Sequence, residues 1–168
     1  MLHVCPLSRL GETVERVNAE RVVSLLADGT ALIRPASIRP EHHLLLSMHD
    51  IVDAAPDMTL PRLDHVQRLI EFALDWNRSR PTVVHCYAGI SRSTAAAYIM
   101  AATLLPNADE FVLARALRRA SPSATPNRRL VVLADEVLGR NGRMVAAVEA
   151  IGRGAEAFEG TPFELRID

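Results

Sequence analysis

Residues 82–99 read TVVHCYAGISRSTAAAYI, and three different textures meet in them. Thr82 to Cys86 is a short β-branched and apolar run that starts just after Pro81, as a strand buried on both faces would. Tyr87 to Arg92 has one glycine and no periodicity, as a loop would. From Ser93 to Leu105 the chain is Ala-rich and apolar at helical length. The order strand, tight loop, helix predicts a loop whose backbone N–H groups converge on one point, beside the free N–H groups and positive end of the helix. Gly89 gives the loop freedom to bend and to approach a ligand closely. Five residues separate the Cys86 thiol from the Arg92 guanidinium. A planar fork can grip two oxygens of an oxyanion, and the same positive surroundings favour a thiolate. A thiolate beneath a bound phosphate is a nucleophile aimed at phosphorus.

Upstream of this segment, short apolar runs alternate with helical patterns. HVCPL (3–7), RVVSLLA (21–27) and HLLLSM (43–48) read as strands, the second closed by the turn signal Asp28-Gly29. Gly11 to Ala19 reads as a helix. A longer one carries Leu63, Val66, Leu69, Ile70, Ala73 and Leu74 at helical spacing, with Thr59 as cap, Pro61 in the first turn and Pro81 as stop. Downstream only helices follow: Asn107 with Glu110 reads as a capping box opening a helix to Arg119, then Asn127 to Leu138, then Gly142 to Phe158. The expected fold is α/β, a single domain over residues 1–168. Its central, mainly parallel sheet has four to five strands, followed by a C-terminal helical cluster, with 160–168 as a peripheral tail. In such sheets ligands bind beyond the C-terminal strand ends, and Cys86 lies at one.

Composition narrows the function classes. The chain has 168 residues, a formal net charge of -1 and 49% hydrophobic residues, which fits one globular domain and excludes disorder as the main state. All basic residues are Arg, and a balanced charge argues against a nucleic-acid partner. No run of eighteen apolar residues is present, so no membrane span is expected. MLHVCPLSRL lacks the basic-then-apolar pattern of a secretory signal. Two cysteines make no disulfide framework, so a reducing, cytoplasmic setting is expected, with Cys5 a small buried hydrophobe. His42 and His43, as neighbours on a strand, would face opposite ways. His49 with Asp50 and Asp53 is a poor metal set, so no metal is expected there. Nothing in the sequence bears on oligomeric state.

The pattern His85-Cys86-x-x-Gly89-x-x-Arg92-Ser93 resembles the signature of the cysteine-based protein tyrosine phosphatase superfamily, most like its small dual-specificity and bacterial members. The surrounding residues 40 to 130 are similar too, including the third strand running into Asp50 and the Pro126-Asn127 step that opens a later helix. The resemblance implies a phosphomonoesterase that works through a phosphocysteine intermediate and with no cofactor, on a phosphorylated protein or a small phosphate ester. It implies roles for individual residues. Cys86 is the nucleophile. Arg92 binds substrate and stabilises the transition state. The amides of Tyr87, Ala88, Gly89, Ile90, Ser91 and Arg92 hold the phosphate oxygens. Ser93 bonds the thiolate and helps it leave. His85 orients the loop and helps keep the thiol ionised. An upstream carboxylate protonates the leaving oxygen and then activates water.

Three carboxylates are candidates for that acid, in HDIVDAAPD: Asp50, Asp53 and Asp57. Asp50, separated from the third apolar run only by His49, is preferred. The sequence departs from larger relatives in two ways: it has no obvious aromatic clamp for phosphotyrosine, and no Gln follows Asn127. Two rivals remain on the residues alone. One is a phosphopeptide-binding protein without turnover. The other is a rhodanese-like sulfur transferase, which also sets a Cys in an anion-binding loop but needs no distant acid.

Overall fold

The computed structural model describes residues 1–167. Five strands form one sheet: β1 (Leu2–Pro6), β2 (Arg21–Leu26), β3 (His43–Ser47), β4 (Thr82–Cys86) and β5 (Phe163–Leu165), in the spatial order β3-β2-β4-β1-β5. The first four are mutually parallel, and β5 runs antiparallel to β1. The described residues form six α-helices around the sheet: α1 (Leu10–Val17), α2 (Leu63–Leu74), α3 (Arg92–Leu104), α4 (Glu110–Ala120), α5 (Arg128–Val137) and α6 (Arg143–Ile151), of which α5 and α6 pack on other helices. Every residue of β1, β2 and β4 is buried, as their unbroken apolar runs require, whereas the edge strand β3 alternates.

α3 explains its own composition. All thirteen of its residues are buried, because it leaves the end of the central strand β4 and passes through the middle of the core. Ala95, Ala96, Ala97, Ala101 and Ala102 keep its surface thin enough for other elements to close around it. A second, smaller core under α1 joins Cys5, Leu10, Val14, Val22 and Val83. Cys5 is a free, buried thiol there, and burial pushes its pKa up to about 12.

Four expectations need correction. Thr59 does not cap α2; the helix opens at Leu63, where Arg62 N donates to His65 Nδ1. Thr59 instead exchanges two bonds with His49: His49 N to Thr59 O, 2.8 Å, and Thr59 N to His49 Nδ1, 2.9 Å. α4 is capped by Asp109, which accepts from Val112 N, and not by Asn107, because Asp109 is the residue directly ahead of the first turn. α6 stops at Ile151, where Gly152 adopts a left-handed φ of 63°. The tail expected to be peripheral from 160 supplies β5, with Leu165 and Ile167 buried; the alternation in Phe163–Ile167 is too short to read as a strand without β1 beside it.

Parallel register sets the site. Leu46, Leu25, Cys86 and Pro6 form one row across β3, β2, β4 and β1. The chain leaves all four strands in the same direction just beyond that row. Residues 48–59, 87–91 and 7–9 therefore emerge together on one end of the sheet.

Candidate active site

The loop after β4 is organised by where its carbonyls go. Tyr87 O accepts from Leu7 N at 3.1 Å, and Ala88 O from Gly160 N at 2.8 Å. Ile90 O accepts from Thr125 N at 2.9 Å, and Ser91 O from Ala95 N at 2.9 Å and Asn127 N at 3.3 Å. All peptides are trans, so each outward carbonyl turns the N–H of the next residue to the opposite side. The amides of Ala88, Gly89, Ser91 and Arg92 are thus aimed into the loop as a group. The Gly89 N–H shows the aim directly, donating to Cys86 Sγ at 3.3 Å. Gly89 itself has a φ of +70°, and a Cβ there would lie 2.7 Å from Pro6 N. Both the left-handed backbone and the close packing on the end of β1 exclude a side chain.

Cys86 is buried at the base of this loop, with Ser93 Oγ 3.2 Å from its sulfur. Arg92, also buried, is the first residue of α3. Its Nη1 donates to Met48 O at 2.8 Å, while its Nε has no partner. A buried donor left without an acceptor is costly unless a ligand completes it. The guanidinium is thus held by the end of β3 through one nitrogen and keeps a free N–H for an oxyanion. Tyr87 turns outward and is 61% exposed at the rim.

His85 points to the other side of β4. Its Nε2 lies 2.6 Å from Ser24 Oγ, which lies 2.8 Å from His43 Nε2. A hydroxyl has one proton, so Ser24 donates to one imidazole and accepts from the other. Burial pushes His85 down to about 4 and lowers His43 as well. A neutral His85 acts on the loop through position and hydrogen bonding rather than through a charge of its own.

Of the three acid candidates, Asp50 meets the loop. Its Oδ1 accepts from Ser91 Oγ at 2.7 Å and from Asn127 Nδ2 at 2.8 Å, and Asn127 Nδ2 also reaches Ile51 O at 3.3 Å. The paired bonds between His49 and Thr59 close the base of the loop that carries it. Asp53 lines the same cleft without a hydrogen bond to the Cys86 loop. Asp57 sits in a left-handed turn (φ 57°) outside the cleft. That cleft, about 610 Å³, runs from Ser91 between the 50–55 loop and Pro126, Asn127 and Arg128. Among the described residues no group of three or more His, Cys, Asp or Glu is placed to hold a metal ion.

Sequence reasoning missed Ser24, His43, Thr125 and the Met48 carbonyl. Nothing in an apolar strand marks Ser24 as a partner for His85. Asn127 was legible only as a helix opener, a job it also does by accepting from Leu130 N.

No family model matches the chain, and no curated protein matches it. Solved structures do. PTP-2 phosphatase of Cydia pomonella aligns at 21% identity and a TM-score of 0.62, over 80% of this chain and 84% of that one. DUSP15 aligns at 18% and 0.62, over 89% and 90%. PTPMT1 in complex with PI(5)P aligns at 17% and 0.60, over 88% and 90%. The chain has the protein tyrosine phosphatase fold. At these identities the likeness concerns the arrangement of elements, and the chemistry has to be argued from the residues.

Proposed function

We propose that this protein is a phosphomonoesterase of the dual-specificity type, acting through a phosphocysteine intermediate on Cys86. The observation that carries the reading is the buried Cys86 sulfur accepting the Gly89 amide at 3.3 Å, with the buried Nε of Arg92 left unpartnered at the end of the same loop.

In the first step Cys86 Sγ attacks phosphorus, the bond from phosphorus to the ester oxygen breaks, and Asp50 gives that oxygen its proton. Charge that builds on the other phosphate oxygens meets the loop amides and the Arg92 fork. In the second step water attacks phosphorus, its proton passes to the Asp50 carboxylate, and the P–S bond breaks. Ser93 Oγ, 3.2 Å from the sulfur, donates to the departing thiolate. Ser91 and Asn127 hold Asp50 over the loop through both steps. Arg92 and the amides supply the positive field, so the reaction as drawn draws on no metal ion or cofactor.

The substrate is a phosphate monoester. A phosphorylated protein is one source, and the lipid headgroup in the PTPMT1 complex shows that a neighbour with this fold takes a phosphoinositide. No helix among the described residues is long and apolar enough to cross a membrane.

The test is hydrolysis of a chromogenic aryl phosphate in the presence of chelator, with Cys86→Ser alongside. Turnover by the wild type, its loss in the variant and retained phosphate binding by the variant are expected. Normal turnover by Cys86→Ser removes the phosphocysteine mechanism. Phosphate binding without turnover by the wild type indicates a binding protein. Transfer of sulfur from thiosulfate indicates the rhodanese-like alternative.

A further inference from the structure

Residues 153–162 have no regular secondary structure and run beside the Cys86 loop. Residues 155–159 are all exposed, Phe158 at 94%, and Gly160 alone is buried. Apolar burial therefore does not hold this strap in place. What holds it is polar: Ala155 N to Pro122 O (2.9 Å), Gly154 N to Thr125 Oγ1 (3.0 Å), Ser8 Oγ to Glu159 Oε1 (2.8 Å) and Gly160 N to Ala88 O (2.8 Å). Gly160 adopts no left-handed φ, yet a Cβ on it would lie 2.9 Å from Gly89 O. Its lack of a side chain serves the close approach to the loop and nothing else.

The peptide that receives the strap is the one that faces the sulfur. Gly160 N–H donates to the Ala88 carbonyl, and the N–H on the other side of the same peptide, that of Gly89, donates to Cys86 Sγ. One rigid plane joins the two bonds, and an accepted bond at the carbonyl strengthens the donor at the nitrogen. We propose that the strap is part of the oxyanion site and that Gly160 is a positioning residue, aiming and polarising the Gly89 amide toward sulfur and bound phosphate. Its own side chain touches neither. This rests on the reading of the Cys86 loop as a phosphate site, and the measurements below separate the two.

The experiment compares Gly160→Ala with wild type and with Leu117→Ala, a core truncation in α4 that lowers stability without touching the loop. Two quantities are read: the affinity for inorganic phosphate and orthovanadate by calorimetry, and the rate of Cys86 alkylation by iodoacetamide at pH 6, mapped by mass spectrometry against buried Cys5. Gly160→Ala is expected to weaken both oxyanions about tenfold and slow alkylation several-fold, the scale of one misaimed charge-assisted donor. Leu117→Ala is expected to lower Tm and leave both unchanged. If Gly160→Ala keeps wild-type affinity and alkylation, or if Leu117→Ala alters them equally, the strap has no such role. Failure of the wild type to bind either oxyanion overturns the reading of the site instead. Hydrogen exchange on the wild type gives a second measurement should Gly160→Ala not fold. Coupling is reciprocal, so orthovanadate should slow exchange of the Gly160 amide, and unchanged exchange at saturation counts against the proposal.

Discussion

Asn127 Nδ2 donates to Asp50 Oδ1 at 2.8 Å, joining the loop that leaves β3 to the cap of α5 across 77 residues of sequence. Ser91 Oγ donates to the same oxygen, so the carboxylate is gripped by the Cys86 loop and by the opposite wall of the cleft. Both donors fall on the same carboxylate oxygen, Oδ1.

Asp50→Asn is expected to cut turnover of an alkyl phosphate by roughly 10²–10⁴-fold, the usual range for general acid catalysis, and to affect an ester of an acidic phenol far less. Asn127→Ala should share the leaving-group dependence at smaller size, since it frees the acid without removing it. Asp53→Asn and Asp57→Asn are the controls. A leaving-group-dependent loss in either of these, absent from Asp50→Asn, assigns the acid elsewhere.

Arg92→Lys keeps a charge but loses the fork that bonds Met48 O with one nitrogen while offering Nε to an oxyanion. Steady-state kinetics should show a loss in kcat/KM of about 2–4 kcal/mol, as for other charged or oriented transition-state donors. A loss under tenfold contradicts the assignment.

His85 gives a pH dependence of stability whose sign follows from burial. Its folded pKa, about 4, lies below the ordinary value of 6.5, so between those values the unfolded chain binds more protons than the folded one. Stability contributed by neutral His85 is complete above pH 6.5 and is lost as pH falls toward 4, by about 3 kcal/mol if this group acts alone. His3, His43 and His65 are shifted down as well and act in the same direction. Denaturant titrations of wild type and His85→Gln over that window should show a shallower slope in the variant. Equal slopes would mean that His85 is already protonated in the folded protein.

Gly89→Ala tests the loop itself. The left-handed backbone costs an alanine about 1–2 kcal/mol, and its Cβ would also press on Pro6 N. Lower thermal stability together with weaker phosphate binding is expected. A variant that binds phosphate like the wild type would show that the loop tolerates a shift of β1.

Residues 82–99 were decisive as sequence because their information is local. A β-branched run, one glycine at the position needing φ of +70° and an Ala-rich helix each declare themselves within a few residues. Together they fixed the strand, loop and helix bearing Cys86, Arg92 and Ser93. That Asp50 lies just past an apolar run, and so leaves the same end of the sheet as Cys86, was also legible. What faces what was not. Parallel register brings Pro6, Cys86, Leu25 and Leu46 into one row, and from that row follow the grip of Ser91 and Asn127 on Asp50, the Met48 carbonyl on Arg92 and the Ser24 bridge between His85 and His43. The strap was the least legible part: its exposed, irregular residues carry no periodicity, and Gly160 looks like any other glycine until a carbonyl of the Cys86 loop stands 2.9 Å from where its side chain would be. Pattern encodes which face of an element is buried, whereas the contact between two distant backbones exists only once the chain has folded around both.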